Sequence, residues 1–169
     1  MRQIMEFDKD EQGLYEFIEL LFFAYRDFTA GPDGELMAFG FGRAHHRVLH
    51  FVSRNPGLMV AELLDILRVS KQSLNRVLKQ LIEEKFVFQE QGAGDRRRRH
   101  LFLTAKGQEL ADRLGAIQFE QISGSLKGFS PEAYQNICDG LLSLIADDDQ
   151  KEVLGRFDEA RKRNRGSDE

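Results

Sequence analysis

Apolar residues recur every three or four positions over most of this chain, which is the spacing that places side chains on one face of a helix. The spacing predicts a first helix over residues 12–28, interrupted by the Gly-Pro-Asp-Gly segment at residues 31–34. Further helices are expected over residues 43–53 and 60–67, after the capping hydroxyls of Ser70 and Thr104, and from Ser130 onward. The aspartates at residues 147–149 are expected to interrupt the last helix.

The helix after Ser70 has the clearest pattern in the sequence. Its apolar stripe consists of Leu74, Val77, Leu78, Leu81 and Ile82. Its first turn and its opposite face carry polar side chains, namely Lys71, Gln72, Ser73, Asn75, Arg76 and Lys79. Two short helices joined by a three-residue break, the second rich in long polar side chains, are typical of a helix-turn-helix. In a major groove, Gln72 and Asn75 can pair with adenine edges and Arg76 with guanine.

The hydrophobic period changes from helical to alternating after residue 85. Residues 86–91 and 97–103 predict two strands, joined by a Gly-Ala-Gly-Asp turn. A helix-turn-helix followed at once by a hairpin indicates a winged helix. The expected fold class is therefore mostly α with a small β-hairpin wing.

Charge is distributed unevenly along the chain. The whole sequence carries a formal charge of −4, with a pI of about 5.7, yet residues 68–106 carry ten Lys or Arg against four acids. That segment has a net charge of +6, which leaves −10 for the remainder. Four consecutive arginines lie at the hairpin turn, where the wing of a winged helix approaches DNA. The segregation favours a surface that faces a polyanion.

Two motifs within this region carry a family resemblance. One is Asp-x-Arg at residues 95–97, and the other is Leu-x-Leu-Thr-x-x-Gly-x-x-Leu at residues 101–110. With the helix order, they resemble the MarR-type winged-helix transcriptional regulators. The resemblance implies that Arg97 probes the minor groove and that Asp95 orients it. The remaining wing residues expected at the DNA are Arg96, Arg98 and Arg99.

The same resemblance extends to the rest of the chain. It implies that residues 70–85 form the recognition helix, with Ser70 and the polar residues named above at the DNA. It also implies a homodimer joined through the first helix and the last two. We therefore expect one domain over residues 1–169, with a DNA-binding lobe at about 43–104 and a helical dimerisation lobe formed by about 10–30 and 105–163.

The function that follows is sequence-specific regulation of transcription. We expect a repressor that binds double-stranded DNA at a palindromic operator as a homodimer and is released by a small-molecule effector. The alternative is a winged-helix module for protein interaction or a non-specific architectural DNA-binding protein. No constellation of catalytic side chains stands out in the sequence, so we do not expect an enzyme, and we expect no cofactor.

His46 and His50 stand four residues apart on the second helix, which is a spacing that can place two imidazoles on one metal ion. No nearby cysteine completes a set of ligands, so we do not expect a metal site. The alternatives are that His45 or Arg43 contacts phosphate, or that His50 is satisfied in the core.

Other residues help to define the compartment and a cavity. Cys138 is the single cysteine and lies on an apolar stripe, which favours an inert buried thiol in the reducing cytoplasm. The sequence has neither a signal peptide nor an apolar run of membrane-spanning length. The aromatic residues expected at the core and dimer seam, or alternatively around an effector, are Phe17, Phe22, Phe23, Phe28 and Phe39.

Overall fold

The computed structural model describes residues 7–92 and 98–165, with the side chain of Asn164 excepted. Its elements in chain order are α1 (Glu11–Met37), α2 (Arg43–Arg54), β1 (Leu58–Met59), α3 (Val60–Leu67), α4 (Lys71–Glu83), β2 (Val87–Gln91), β3 (Arg99–Leu103), α5 (Ala105–Leu126), α6 (Pro131–Ser143) and α7 (Asp147–Arg165). The expected class, mostly α with a small β wing, is confirmed. We call the segment from α2 to β3 the winged-helix lobe.

The first helix is longer than the sequence suggested, and the prediction that Gly-Pro-Asp-Gly interrupts it was wrong. α1 continues to Met37 with Pro32 inside it, although an interior proline costs a helix about 3 kcal/mol. Packing compensates, because Pro32 and Leu36 are buried. α5 also lies so close that a Cβ on Gly31 would be 2.6 Å from Cγ2 of Ile117.

The wing is a three-stranded antiparallel sheet with strand order β1-β3-β2. The two predicted strands are confirmed, but β2 begins one residue later than predicted and β3 begins two residues later. β1 was missed because two residues are too few to form a pattern. In the register, Leu101 of β3 pairs with Leu58 on one side and with Gln89 on the other. The buried Leu101 therefore connects the β2–β3 hairpin to β1, the strand that directly precedes α3.

The buried core lies in the winged-helix lobe and against the first half of α5. Its members are Leu36, Phe41, Val48, Leu49, Val52, Leu58, Leu63, Leu67, Leu74, Val77, Leu78, Leu81, Phe86, Val87, Leu101, Leu110 and Leu114. Burying a large apolar side chain stabilises the fold by roughly 1.5–3 kcal/mol. Most of these side chains belong to the lobe itself, and Leu36, Phe41, Leu110 and Leu114 complete its core from the adjoining segments.

The C-terminal part differs, because α6, which is described along its whole length, contains no buried residue. The apolar stripe predicted a buried thiol, but Cys138 on α6 is half-buried. The expected break near residues 147–149 lies slightly earlier. α6 ends at Ser143, and the three aspartates form the first turn of α7. Negative charge there complements the positive end of the helix dipole. Within residues 7–92 and 98–165, no helix is both long and apolar enough to cross a membrane.

Candidate nucleic-acid interface

α4 presents a polar face because its apolar stripe anchors it in the core. Leu74, Val77, Leu78 and Leu81 are buried. The Ser70 hydroxyl caps the helix, since its Oγ accepts from the backbone N–H of Ser73 at 3.1 Å. The side chains that face outward are Lys71, Gln72, Ser73, Asn75, Arg76 and Lys79, and all six are exposed. They are free to approach a ligand while the opposite face holds the helix in place.

The turn between α3 and α4 is fixed from two sides. Arg68 ends α3 in the left-handed conformation, with φ 49° and ψ 47°. From α2, the guanidinium of Arg47 donates to the carbonyl of Leu67 at 3.0 Å. Exposed Ser70 then begins α4. α2 is thereby hydrogen-bonded to the C-terminal end of α3, directly before the turn.

Met59 occupies the N-cap position of α3 and has no hydroxyl with which to cap the helix. The structure uses another group. The carboxylate of Glu62 accepts the backbone N–H of Met59 at 2.8 Å. This is the returning half of a capping box, so the helix start is satisfied without a serine or threonine.

The base of the wing explains the Thr-x-x-Gly motif. The Thr104 hydroxyl donates to the carbonyl of Lys85 at 2.6 Å and accepts the backbone N–H of Gly107 at 3.0 Å. A Cβ on Gly107 would lie 1.9 Å from the carbonyl oxygen of Phe86. Only glycine allows this approach, so the motif ties the start of α5 to the chain that leaves α4.

A groove of about 900 Å³ runs between α3, α4 and the wing. It brings together five of the residues expected at DNA: Lys71, Asn75, Lys79, Arg98 and Arg99. Gln72, Ser73 and Arg76 lie on α4 outside this groove. The groove therefore places cations from the recognition helix and from the wing on one concave surface.

Lys79 and Arg99 have polar neighbours within the protein. Lys79 Nζ lies 3.7 Å from Oε1 of Glu83, and both side chains are highly exposed. Arg99 donates from Nη1 to Oε1 of Gln89 at 3.3 Å across the β2–β3 pair. At the stem of the hairpin, the amide of Gly92 donates to the carbonyl of Arg98 at 3.0 Å. Asp95, Arg96 and Arg97, which the sequence placed at the tip of the wing, lie outside the described residues.

The histidines of α2 have separate environments. His46 is buried, whereas His50 is exposed, and their ring centroids lie 6.5 Å apart at 89°. Burial lowers the pKa of His46, against the opposing influence of the Asp33 carboxylate. Across residues 7–92 and 98–165, no three His, Cys, Asp or Glu side chains group as metal ligands. The alternative that His50 is satisfied in the core was wrong, because α2 turns it towards the surface.

The two residues of α2 for which a phosphate contact was considered form hydrogen bonds within the protein. Arg43 Nε donates to Oδ2 of Asp33 at 2.8 Å. His45 hydrogen-bonds Gln80 of α4 at 2.9 Å. Sequence reasoning missed Gln80. Its only signal was its position at the border between the apolar stripe and the polar face, one turn after Arg76.

A second cavity of about 450 Å³ lies between α1, α2 and α5. Its walls include Tyr25 and Phe28 of α1, and Arg43, His46 and Arg47 of α2. Of the aromatic residues that the sequence offered for an effector site, Phe28 lines this cavity. Phe17, Phe22 and Phe23 are exposed, and Phe39 packs edge-on against Phe86, with ring centroids 5.4 Å apart.

The geometry agrees with similarities to known proteins. Residues 39–98 match a family model that is described as "MarR family". The chain is 48% identical over 124 residues to the HTH-type transcriptional regulator PetP of Rhodobacter capsulatus. The matched region covers 73% of this chain and 74% of that protein.

Among solved structures, a MarR family regulator from Silicibacter pomeroyi has a TM-score of 0.65 at 23% identity, covering 80% of this chain and 90% of the other. A putative MarR family regulator from Listeria monocytogenes complexed with 26mer DNA has a TM-score of 0.68 at 20% identity, covering 81% and 91%. These similarities support the winged-helix fold.

Proposed function

The chain belongs to the MarR family, and we propose that it is a cytoplasmic, sequence-specific DNA-binding regulator of transcription that acts as a repressor. The observation that carries the proposal is the arrangement of α4. One face is locked in the core, while the opposite face offers donors and acceptors beside a groove lined with Lys and Arg. A helix with exposed polar side chains fits the major groove, and bidentate pairing by Asn or Arg discriminates bases by about 1–3 kcal/mol.

The wing would supply contacts beside the recognition helix. Arg98 and Arg99 share the groove with Lys71 of α4, so the two elements can bind one stretch of backbone together. Arg97 is proposed for the minor groove and Asp95 for its orientation, on the family resemblance. Arg97→Ala should then weaken binding to the recovered DNA site markedly, and an unchanged affinity would exclude this role for Arg97.

We propose a homodimer because the flanking helices expose apolar side chains that the rest of the described chain leaves uncovered. Phe22 of α1 is 70% exposed and Phe119 of α5 is 76% exposed. Leu141 and Leu144 near the end of α6 are also exposed. Apolar surface on this scale marks an interaction site. A twofold dimer would present two recognition helices to half-sites about 34 Å apart, so the operator should be a rough palindrome.

The cavity between α1, α2 and α5 is the proposed effector site. A volume near 450 Å³ falls within the range of small-molecule sites, about 300–1,000 Å³. Aromatic walls and the guanidinium group of Arg47 suit an aromatic molecule that carries negative charge, whereas Arg43 is already paired with Asp33. Arg47 also holds the end of α3, so an occupant that moves this side chain would shift the helix-turn-helix. Release of DNA requires that the effector bind the shifted state more tightly.

The first test is to incubate the purified protein with fragmented genomic DNA at near-physiological salt and to sequence the fragments that it retains. A recurrent palindrome is the expected result. Retention without a shared motif would instead identify an architectural DNA-binding protein, and absence of retention would favour a protein-interaction module. A panel of aromatic carboxylates can then be screened for release of the recovered operator, with Arg47→Ala expected to reduce the response. Arg54→Ala, which removes a guanidinium of α2 outside this cavity, is the control.

A further inference from the structure

His45 joins the beginning of α2 to the recognition helix. Its Nδ1 lies 3.2 Å from the backbone nitrogen of Gly42, and its Nε2 lies 2.9 Å from Oε1 of Gln80. A backbone N–H can only donate, so Nδ1 must be the acceptor and the ring proton must be on Nε2. The two contacts therefore select one neutral tautomer of His45, which donates to Gln80.

Aromatic packing holds this ring in position. The imidazole stacks on Phe41, with centroids 4.6 Å apart and planes 8° apart. Phe41 in turn meets the buried ring of Phe86, which follows α4, edge-on at 5.1 Å. Tilting the imidazole out of this plane would lose the stacking contact, and flipping it within the plane would lose both hydrogen bonds. The link thus connects the α1–α2 junction to α4 through one favoured ring orientation.

Gln80 lies one helical turn after Arg76, whose side chain is exposed on α4. The apolar stripe sets the depth of α4 in the core, but apolar contacts are not directional and tolerate small rotations of a helix about its axis. A hydrogen bond to a fixed donor is directional. The contact with His45 can therefore fix the rotation that the apolar stripe leaves undetermined.

We propose that His45 is a positioning residue for DNA recognition, which through Gln80 sets the rotation of α4 and hence the aim of Arg76 at a base pair. The proposal rests on the proposed DNA-binding function. It assigns His45 no direct contact with DNA. Loss of the link should reduce discrimination between DNA sequences more than it reduces general attraction to DNA.

Protonation of His45 would disrupt the arrangement. An imidazolium has two N–H donors, so Nδ1 could no longer accept from Gly42. From α4 the ring faces Gln80 and the cationic Arg76, and from the α1–α2 junction it faces Phe41 and the Gly42 amide. Burial lowers the pKa of His45, and the charge of Arg76 lowers it further. Nε2 of the imidazolium still donates to Gln80, but its new Nδ1–H would face the Gly42 N–H, and we expect this repulsion to displace the ring. The link should therefore be fixed at neutral pH and loosened in acid.

The test measures the ratio of affinities for the recovered operator and for a scrambled duplex, from about pH 8 to about pH 5, a range that extends well below the ordinary histidine pKa because that of His45 is lowered. At the upper pH, His45→Ala and Gln80→Leu should each lower this ratio about fivefold, the effect of one lost hydrogen bond. His45→Gln should preserve the ratio there, because its amide oxygen can accept from Gly42 and its nitrogen can donate to Gln80.

The pH profile separates positioning from a general structural role. In the wild-type protein the ratio should fall in mild acid, whereas in His45→Gln it should stay flat. His50→Gln, which removes an exposed imidazole from the same helix, should keep the wild-type profile. Taking a ratio cancels the general gain in attraction to DNA that any histidine acquires when it is protonated.

An unchanged ratio in Gln80→Leu would overturn the proposal, as would a wild-type profile in His45→Gln. If His45→Ala fails to fold, Gln80→Leu and His45→Gln still decide the matter. If the wild-type protein binds operator and scrambled duplex equally at every pH, the proposed sequence-specific function itself fails. That result differs from wild-type discrimination that is indifferent to His45.

Discussion

The winged-helix lobe and the helices that flank it use their apolar residues in opposite ways. In the lobe, Val48, Leu63, Leu81 and Leu101 are essentially inaccessible to solvent. In α1, α5 and α6, residues of similar hydrophobicity, such as Phe22, lie largely in solvent. Because burial of apolar surface stabilises a fold, the lobe is stabilised mostly by its own side chains, completed by Leu36 of α1 and by Leu110 and Leu114 of α5. The other apolar residues of the flanking helices are the ones we propose to be covered by a partner surface. The contrast separates residues that should govern folding from residues that should govern assembly.

Phe86→Ala should have the largest effect and would test the first half of this contrast. The side chain is buried between α4 and the wing, where it meets both Phe39 and Phe41. Truncating a buried phenylalanine costs about 3–5 kcal/mol. We expect a large fall in the free energy of unfolding, measured by urea denaturation followed by circular dichroism.

Phe119→Ala is the matched control, because its ring is exposed in the protomer. At protein concentrations where the chain is monomeric, this variant should unfold like the wild type. Equal destabilisation by the two substitutions would remove the distinction between the lobe and the flanking helices.

Phe22→Glu should break self-association without unfolding the lobe. A glutamate within the proposed apolar interface would be desolvated without a partner, and the strongest residues of an interface contribute about 2 kcal/mol or more to binding. The expected result is a dissociation constant raised about thirtyfold or more, measured by sedimentation equilibrium. Val69→Glu, which places the same charge on an exposed apolar position of the helix-turn-helix, should leave association unchanged. Equal dissociation by both variants would contradict the assignment of α1 to the interface.

Much of the lobe could be predicted from the sequence because its signals are local. The stripe of α4 repeats over more than two turns, and Ser70 and Thr104 mark helix starts that the structure confirms through their hydrogen bonds to Ser73 and Gly107. A regular period and a capping hydroxyl depend on neighbours in the sequence. Such features survive whatever packs around them.

The errors and omissions have tertiary causes. Nothing near Pro32 indicates that α1 continues, since the helix is held there by packing against α5. β1 depends on its pairing with β3. The link between His45 and Gln80 joins residues 35 positions apart, and each residue alone looks like an ordinary polar position. In the candidate site, the sequence identified the exposed residues of α4 but not the contacts that aim them.

Arg76→Ala should relax specificity at one base pair. Loss of a bidentate contact to guanine reduces discrimination by about 1–3 kcal/mol, so affinity for the operator should fall while affinity for a duplex altered at that pair changes little. Binding titrations against a set of single-base variants measure this. Lys79→Ala provides the comparison, because a phosphate contact should weaken binding to every duplex and reduce the salt dependence by about one charge. A uniform loss for Arg76→Ala would make it a phosphate contact as well.

The buried His46 should make the protein less stable in mild acid. Burial lowers the pKa of His46 from its ordinary value of 6.5, so the folded state binds a proton less readily than the unfolded chain. Stability should therefore be complete above about pH 6.5 and decrease as the pH falls below it. Each tenfold reduction in proton affinity costs about 1.4 kcal/mol. Thermal melts across this range should show a falling melting temperature, and His46→Gln should flatten part of the curve. A melting temperature that rises in mild acid would contradict this account.

Asp149→Asn should have the smallest effect. The Asp149 carboxylate pairs with Arg68, the residue at which α3 ends. The side chain of Arg68 is mostly exposed to solvent. Ion pairs at such a surface stabilise a protein by about 0–1 kcal/mol and weaken as salt increases. We expect a change of less than about 1 kcal/mol in the free energy of unfolding at low salt, and less in high salt. A loss as large as that of Phe86→Ala would mean that α7 is part of the stabilised lobe, and the boundary between the two regions would then have to include it.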